Sequence, residues 1–464
     1  MTTIDKLFVP IEFPEGVAPG EGSQMNVAMI SRDGVGRPVL RGTAIAGCLR
    51  RAHSRQSTSS GGCEAQTTRY WFGSAADDES VPGSIDEDSR LVIETAVLGS
   101  SAGNEILTTH HRRNRHTGVV ADAGLFSVAS CPPGTRTMVA IEIRGGDEHG
   151  GTQGVVDFLH QTFAAGITFG GKTARGVGRC QLSGPVRHRR YDMTQIDDAA
   201  AYLDDSLHWR SESTVPTSTV ELAQPNASSP GERLQIQITL RIARGQDILI
   251  AQGADVRMMR TRDAGGHEHW RIPGSTWRGA LRSWMTRLAA IDDETAGSGN
   301  TVADSLKYFE SLPEPQRARH PNAESMQDST CPINDLFGTT AAAGRIHIAD
   351  TLVPIASGTE QSRVHVAVDR ITGGAAEGLL FENTVLVSAS GGPKFNLSIR
   401  VDRPTETETR WLAEAFLAIH HGTLRIGSSK ASGRLEMNGQ IQASGNQADL
   451  FRQTIEQHFA PELN

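Results

Sequence analysis

Residues 41–50, RGTAIAGCLR, recur with substitutions as residues 273–282, PGSTWRGALR, at an offset of 232 positions. Two further blocks recur in the same order. NRHTG at 114–118 returns as DRITG at 369–373, and FGGKTARG at 169–176 returns as IGSSKASG at 426–433. Because three motifs keep one order and nearly one offset, the sequence predicts a single kind of domain that the chain uses twice.

The composition is typical of a soluble, loop-rich globular protein. The chain has 464 residues, an apolar fraction of 38% and 49 glycines, which is enough for two or three domains. No apolar run approaches the roughly 18 residues of a membrane span, and the first residues do not resemble a secretory signal. Five scattered cysteines without a C-x-x-C pair indicate neither a disulfide framework nor a zinc ribbon. We therefore expect a cytoplasmic protein without a membrane partner or an organic cofactor.

The net charge of −8 argues against a uniformly basic nucleic-acid binder. The basic residues are nevertheless clustered. Arg50, Arg51 and Arg55 follow the first repeated block, and Arg112, Arg113 and Arg115 surround the second. A local basic groove on an acidic protein is compatible with this pattern.

The order of predicted elements indicates an α+β fold. Helices and strands alternate without regular βαβ units, which favours two ferredoxin-like βαββαβ cores with long insertions. A Ser-, Thr- and Pro-rich segment separates the copies. The predicted organisation is a first domain at 1–208, a linker at 209–232 and a second domain at 233–464 that ends in an amphipathic helix.

Thr43 and Ser275 stand at the start of predicted helices that carry Arg50 and Arg282 in the same register. Free backbone N–H groups, a hydroxyl and the helix dipole make such a helix start a good seat for a phosphate. An ordinary N-cap explains one copy equally well. The recurrence with an arginine in register favours the phosphate interpretation.

The glycine–lysine blocks add basic residues on backbone that a ligand can approach closely. Residues 166–173, GITFGGKT, formally match the nucleotide-binding pattern G-x-x-x-x-G-K-[ST]. That pattern needs a strand before it and a helix after it. Here a helix is predicted before it and a strand after it, so we reject the nucleotide-hydrolase interpretation.

The clustered histidines do not form a recognisable metal motif. His110-His111 and His267-Glu268-His269 lack H-E-x-x-H spacing and have no further ligand nearby in the sequence. Solvated loop histidines are the simpler interpretation.

The three repeated motifs resemble those of the RAMP superfamily of CRISPR-associated proteins, in particular the backbone subunits of type III effector complexes. Residues 274–282, GSTWRGALR, are similar to the family's turn–helix motif, and residues 42–50 are a looser copy. The family's Asp-Arg-x-Thr-Gly element is intact at 369–373 and altered at 114–118. The resemblance covers nearly all of both halves.

This resemblance implies two modified RNA-recognition folds with thumb-type hairpins that hold CRISPR guide RNA beside target RNA. It also implies other RAMP subunits and a large subunit as partners in the complex. The guide contacts that it implies are Thr43, Arg50, Arg115, Lys172 and Arg175 in the first copy, and Ser275, Arg278, Arg282, Arg370 and Lys430 in the second.

In the same family, an aspartate after the first strand cleaves target RNA with a divalent metal, Mg²⁺ or Mn²⁺. Asp255 is the matching residue, ahead of Arg262-Asp263, whereas Asn26-Val27 in the first copy offers no carboxylate. A solvated turn aspartate is the alternative for Asp255. A structural or end-capping subunit without nuclease activity and a guide-processing ribonuclease are the alternative functions.

Overall fold

A computed structural model of the chain describes residues 3–24, 27–57, 64–74, 88–99, 105–113, 120–145, 151–171, 173, 177–212, 215–223, 233–252, 255–263, 266–296, 332–338, 344–369, 371–388, 392–427 and 432–459. Among the helices described there, none combines the length and the apolar character needed to cross a bilayer.

The first half contains four helices and twelve strands among its described residues. In chain order they are β1 (Thr3–Phe13), β2 (Gly20–Gln24), β3 (Val27–Ile30), β4 (Val39–Leu40), α1 (Gly42–Ser57), α2 (Glu64–Phe72), β5 (Leu91–Ile93), β6 (Ala96–Val97), β7 (Ile106–Arg113), β8 (Val120–Ser130), β9 (Thr135–Gly145), α3 (Gly151–Ala164), β10 (Gln181–Leu182), β11 (Arg187–Asp192), α4 (Ile196–Glu212) and β12 (Val220–Glu221).

The second half repeats this order with its own additions. Its described elements are β13 (Arg233–Ile242), β14 (Asp247–Ile248), β15 (Ala251–Gln252), β16 (Asp255–Met258), β17 (Arg260–Arg262), β18 (Glu268–Ile272), α5 (Gly274–Ala296), α6 (Pro332–Phe337), β19 (Ile346–Ile348), β20 (Thr351–Pro354), a 3₁₀ turn (Ile355–Ser357), β21 (Thr359–Val368), β22 (Ala375–Val387), β23 (Lys394–Asp402), α7 (Glu406–His420), β24 (Leu435–Gly445) and α8 (Ala448–Phe459).

Each half is built on an antiparallel sheet with the strand order of a ferredoxin-like fold. In the second half the order is β24-β13-β23-β19, which places the fourth core strand beside the first and the third beside the second. In the first half β1 lies between β9 and the pair β10 and β11, and β5 lies beyond β9. The predicted α+β fold of two ferredoxin-like modules is confirmed.

The helices cover one face of each sheet because alternate strand residues are apolar. In β1 these residues are Leu7, Val9, Ile11 and Phe13, and they form one core with apolar residues of α1 and α3. In the second module, alternate residues of β13 pack in the same way with residues of α5 and α7. Burial of this kind is the main stabilising contribution in each module. The predicted C-terminal helix is α8, which adds Phe451 and Ile455 to the second core.

A long β-hairpin projects from each module, as the sequence analysis expects of thumb-type insertions. The first hairpin is β7–β8 and the second hairpin is β21–β22. Each also pairs in parallel with a short strand that follows the first core strand. Val27 of β3 lies opposite Ser127, and Arg257 of β16 lies opposite Thr384.

The first sheet extends into the segment that the sequence analysis takes as linker. Helix α4 continues to Glu212, and Val220 and Glu221 of β12 pair with β11. The part at 224–232 lies outside the described residues. The described structure therefore places about half of the expected linker in the first module.

Candidate nucleic-acid interface

The repeated glycines Gly42 and Gly274 pack the start of α1 and α5 against the end of a core strand. A Cβ atom at Gly42 would lie 1.9 Å from the carbonyl oxygen of Ile93, and one at Gly274 would lie 2.1 Å from that of Ile348. Real Cβ atoms do not approach an oxygen so closely. Both glycines are therefore required by the packing of the fold, whatever the helix start binds.

A second pair of repeated glycines, Gly47 and Gly279, has no such packing reason. Both lie inside a helix and are exposed, and a Cβ atom at either would meet no atom within 4 Å. Glycine inside a helix costs about 1 kcal/mol relative to alanine. Each lies one helical turn after Thr43 or Ser275, on the same side of the helix. We call Gly42, Thr43 and Gly47 the first seat, and Gly274, Ser275 and Gly279 the second seat.

The arginines expected to contact the guide beside these seats bond within their own module. Arg50 donates to the carbonyl oxygen of Gly73, which follows α2. Arg282 donates to the carbonyl oxygen of Gly338, after α6, at 3.1 Å. Arg278 donates to the carbonyl oxygen of Phe337. Arg50 and Arg282 therefore occupy matching positions because each bonds to the glycine that follows the next helix, α2 or α6.

Arg282 is also too deeply buried for the expected guide contact. Its exposed fraction is 4%, and its guanidinium donates to Oδ1 of Asn334 at 2.7 Å in addition to Gly338. Thr43 is exposed and Ser275 is half-buried. Of the expected guide contacts in the described residues, the two hydroxyls thus lie at the seats, and the three arginines hold the framework behind them.

The two ends of each glycine–lysine segment are joined by a backbone hydrogen bond. The N–H of Phe169 donates to the carbonyl oxygen of Gly178 at 2.8 Å, and the N–H of Ile426 donates to that of Gly433 at 3.0 Å. Gly178 is therefore the structural counterpart of Gly433. In the sequence alignment, Gly433 is paired with Gly176. The first loop is two residues longer. We call these segments the closing loops; Lys172, Arg175 and Lys430 lie in them, outside the described residues.

The nucleotide-binding pattern at 166–173 does not have the required structure around it. Helix α3 ends just before it, and the short strand β10 is the next regular element after it. The positive φ angle of Gly170 allows the backbone to pass close to the carbonyl oxygen of Ala18. Residues 166–171 therefore belong to a packed loop of the fold.

The two hairpins carry a repeated histidine–phenylalanine pair that the sequence analysis did not identify. His110 stacks on Phe126 with ring centroids 5.5 Å apart, and His365 stacks on Phe381 at 5.2 Å. Both pairs are cross-strand neighbours, and both follow the offset of 255 positions. His110 therefore belongs to a strand and not to a solvated loop, and the same correction applies to His269 in β18.

The tip of the second hairpin is shaped by Asp369, the first residue of the repeated DRITG block. Its Oδ1 accepts the N–H groups of Ile371 and Thr372 at 2.9 and 2.8 Å. These bonds lower the pKa of Asp369 and fold the tip into a tight turn. Arg370 and, in the first copy, Asn114 and Arg115 lie outside the described residues.

The second seat opens into a cleft between the modules. A cavity of about 290 Å³ is bounded by Thr108 and His110 of the first hairpin on one side, and by Arg262, Arg271 and Ser275 of the second module on the other. We call it the junction cleft. It brings a seat hydroxyl and two arginines of the second module to a histidine of the first, together with the carboxylates of Glu15, Asp263 and Asp350.

A larger cavity of about 590 Å³ lies between the first closing loop and the open face of the second sheet. We call it the sheet-face cleft. Its walls include Arg179 from the first module, and His347 and Arg400 from the second. Burial lowers the pKa of Arg400 to about 10, and Asp402 counters this effect at 3.4 Å. Nε of Arg400 is buried without a hydrogen-bond partner among the described residues.

Asp33, which follows Arg32, and Asp263, which follows Arg262, form equivalent turns. Each carboxylate accepts the N–H of the residue four positions later, Arg37 at 2.8 Å or His267 at 2.9 Å. Oδ2 of Asp263 also lies 3.1 Å from Nε2 of His269. The pKa of Asp263 is lowered to about 2, mainly by the hydrogen bond from the backbone N–H of His267. These aspartates stabilise turns.

Asp255 is the first residue of β16, beside the base of the second hairpin. Arg257 lies opposite Thr384 in the parallel pair, and extending this register by two residues makes Asp255 the counterpart of Val27. The two modules therefore differ at this position as the sequence analysis states. Among the described residues, no group of three or more His, Cys, Asp and Glu side chains could hold a metal ion.

Glu15 follows β1 and lines both clefts. Burial, together with the charge of Asp350, raises the pKa of Glu15 to about 8 from an ordinary value of 4.5. Between these values the folded state binds more protons than the unfolded chain. The stability contributed by the protonated carboxyl is therefore present below pH 4.5 and is lost as the pH rises through about 8.

Glu15→Gln is expected to remove this loss. The variant should match the wild type near pH 5 and be more stable near pH 9 by about 2 kcal/mol, because each pKa unit corresponds to about 1.4 kcal/mol and partial contact with solvent reduces the effect. Denaturant midpoints measured across this range provide the test. Parallel pH profiles for the two proteins would contradict it.

The RAMP superfamily profile matches the chain twice, over residues 16–181 and 263–435. These regions contain both seats, both hairpins and both closing loops, and together they make up most of the chain. A comparison with curated proteins gave no match. The structure agrees with these two matches, because it contains two ferredoxin-like modules with the same motifs at equivalent places. The chain therefore belongs to the RAMP superfamily of CRISPR-associated, RNA-binding proteins, of which it carries two modules in tandem.

Proposed function

We propose that the protein is a guide-RNA-binding backbone subunit of a type III-like CRISPR ribonucleoprotein, in which each module holds one position along the guide. The observation that carries this proposal is the repeated exposed glycine, Gly47 and Gly279. The fold gives no reason for glycine at either place, and glycine there lowers helix stability. Close approach of another backbone is the physical reason that remains.

The seats supply the groups that a phosphate needs. Part of the first turn is already bonded, because the N–H of Gly42 donates to Oγ1 of Thr95 at 3.4 Å and that of Gly274 to Oδ1 of Asp350 at 2.7 Å. The hydroxyls of Thr43 and Ser275 and the positive end of each helix dipole are the groups proposed to meet a phosphate. One turn further on, the glycine leaves room for the sugar–phosphate chain to lie against the helix. Arg50 and Arg282 fix the helix from behind by their bonds to Gly73 and Gly338.

The junction cleft is where the second seat faces the first module, and we propose that RNA passes between the modules there. Arg262 and Arg271 face it beside Ser275, and the carboxylates of Glu15, Asp263 and Asp350 line it as well, with Asp350 paired to Arg271. Lys172, Arg175 and Lys430 of the closing loops, and Arg115 and Arg370 of the hairpin tips, are the further guide contacts we propose from the sequence. Affinity should fall with salt, as for other phosphate-binding proteins.

The hairpins are proposed to reach the bases. The second hairpin exposes Ile371 at its tip and Leu380 and Phe381 on its second strand, β22. Apolar side chains in this position can contact unstacked bases where the guide meets target RNA. The partners in the complex are then target RNA, other RAMP subunits and a large subunit, in the cytoplasm.

Replacing the exposed glycines tests the proposal. Gly47→Gln and Gly279→Gln fill the seat with a neutral, helix-favouring side chain, so each should weaken binding of single-stranded RNA about tenfold, or about 1.4 kcal/mol, without lowering thermal stability. Fluorescence anisotropy with a labelled RNA measures the affinity.

Gly154→Gln is the matched control. Gly154 is also exposed inside a helix, α3, with no atom within 4 Å of a Cβ position, but it has no glycine counterpart in the second module. Its replacement should leave RNA affinity unchanged. RNA affinity equal to that of the wild type in Gly47→Gln and Gly279→Gln would sink the proposal.

Cleavage of target RNA by the second module is a second candidate function, favoured by the difference between Asp255 and Val27 at equivalent positions. A carboxylate can orient a ribose hydroxyl or accept its proton, and valine cannot. Mg²⁺ or Mn²⁺ bound there would stabilise charge on the phosphate. Asp255 offers such an ion one carboxylate, which fits Mg²⁺ when phosphate oxygens of the RNA complete its ligands. Without this activity the protein is a structural subunit.

A further inference from the structure

Helix α4 follows β11 as α8 follows β24, but α8 packs on α7 in the second core, whereas α4 covers the face of the first sheet that α1 and α3 leave open. The ring of Trp209 contacts that of Phe8 in a tilted arrangement, with centroids 5.0 Å apart, and its N–H donates to Glu94 at 2.6 Å. The hydroxyl of Tyr202 donates to Glu142 at 2.9 Å, and Lys6 lies 4.3 Å from the ring of Tyr202.

Charged groups extend this contact along the sheet. Asp205 of α4 accepts from Arg189 at 2.7 Å and from the hydroxyl of Tyr191 at 2.8 Å. The helix is therefore fixed to β1, β9 and β11 by the rings of Tyr202 and Trp209 and by the carboxylate of Asp205, which lies between them on the helix.

The same face of the second sheet receives the first module instead. Lys6 lies opposite Glu142 and Arg189 in the first sheet, and Gln235 lies opposite Arg400 and Ser444 in the second. Gln235, Arg400 and Ser444 all line the sheet-face cleft. Gln235, Arg400 and Ser444, which face the first module across this cleft, are thus the counterparts of Lys6, Glu142 and Arg189, which lie under α4.

The first module meets this face with the end that carries its closing loop. Arg233 donates to the carbonyl oxygen of Ala165 at 3.3 Å, and Arg400 donates to that of Gly166 at 3.5 Å. Arg179 faces the same cleft. The contact is heterologous, because a loop end of one module lies on a sheet face of the next, and such contacts can continue into an open stack.

The second module presents the same loop end without a neighbour among the described residues. Gly422 and Gly166 have nearly equal positive φ angles, and Arg434 passes over Gly422 as Arg179 passes over Gly166. His421, Arg425 and Arg434 are exposed there.

We infer that α4 makes this chain the terminal member of a head-to-tail stack of modules. A further module with an open sheet face can be seated on the closing-loop end of the second module. The corresponding place on the first module is filled by α4. This inference rests on the proposed function in one respect, namely that the stack of modules would follow a guide RNA.

Sedimentation velocity of the full chain without RNA tests this assignment. The wild type is expected to remain a monomer. Tyr202→Ala combined with Trp209→Ala removes the ring contacts of α4 and should give concentration-dependent oligomers, because the sheet face of one copy can then receive the loop end of another. Adding Arg434→Glu should return these oligomers to monomers.

Leu203→Ser is the control on the outer side of α4, where Leu203 is 66% exposed, and it should stay monomeric. A folded Tyr202→Ala, Trp209→Ala variant that remains a monomer overturns the inference, and so does a wild type that forms oligomers sensitive to Arg434→Glu. Because no RNA is present, neither outcome depends on the proposed function.

If the double variant does not fold, cross-linking of the wild-type complex decides the question. Cross-links from a neighbouring RAMP subunit should fall near residues 421–434. Cross-links that place such a subunit on β1 and β11 would overturn the assignment.

Discussion

Gly274→Ala is expected to destabilise the protein by about 3 kcal/mol, and Gly42→Ala by a similar amount, because each places a methyl group about 2 Å from a carbonyl oxygen of a core strand. The oxygen belongs to Ile348 or Ile93, at the end of the second core strand, so relief requires the helix to move away from the sheet. Neither glycine has a positive φ angle, so the loss comes from the contact alone.

The same helices contain the matched controls. Gly279→Ala and Gly47→Ala lie five residues further on in open space, and each should stabilise its helix by about 0.5–1 kcal/mol. Thermal and denaturant midpoints of the four variants measure the difference. The account of the repeated motif is wrong if alanine at 274 is tolerated as well as alanine at 279.

Asp255→Asn is expected to abolish one cut in target RNA, with a loss on the order of 10²–10⁴-fold in its rate, because the amide cannot act as a base. Asparagine keeps the size of the side chain, so guide binding and assembly should be unchanged. Cleavage of a labelled target RNA by the assembled complex, with the cut sites counted, provides the measurement.

Asp33→Asn is the control for charge. Asp33 caps a turn in the first module, and asparagine can accept the same N–H groups of Val35 and Arg37. This variant should cleave like the wild type. Unchanged cleavage by Asp255→Asn would remove the enzymatic assignment and leave the structural role.

The sequence predicts the fold well because the duplication is visible in short local motifs. Repeated motifs fix the order of elements, and alternating apolar and polar residues predict a strand such as β13. The roles of Arg50 and Arg282 are not visible in the same way. Their partners, Gly73 and Gly338, lie 23 and 56 residues away, and a repeated arginine looks the same whether it faces RNA or the interior.

One feature of the site, the repeated histidine–phenylalanine pair, could have been found from the sequence. The offset of 255 that relates the hairpins also relates His110 to His365 and Phe126 to Phe381. The closing loops are harder to align, because the first is longer by two residues and only the bonds at its base show that Gly178 corresponds to Gly433. The position of α4 on the first sheet depends on long-range ring contacts, for which the sequence carries no periodic signal.

The central claim is that the two modules hold one RNA together. The most direct test is the affinity of the full chain for single-stranded RNA of increasing length. Once the RNA spans both seats, the second contact becomes intramolecular, so affinity should rise by at least about tenfold. Gly279→Gln and Gly47→Gln should each abolish this step while short RNA still binds. Affinity that does not depend on length, or a step that survives in both variants, would contradict the account.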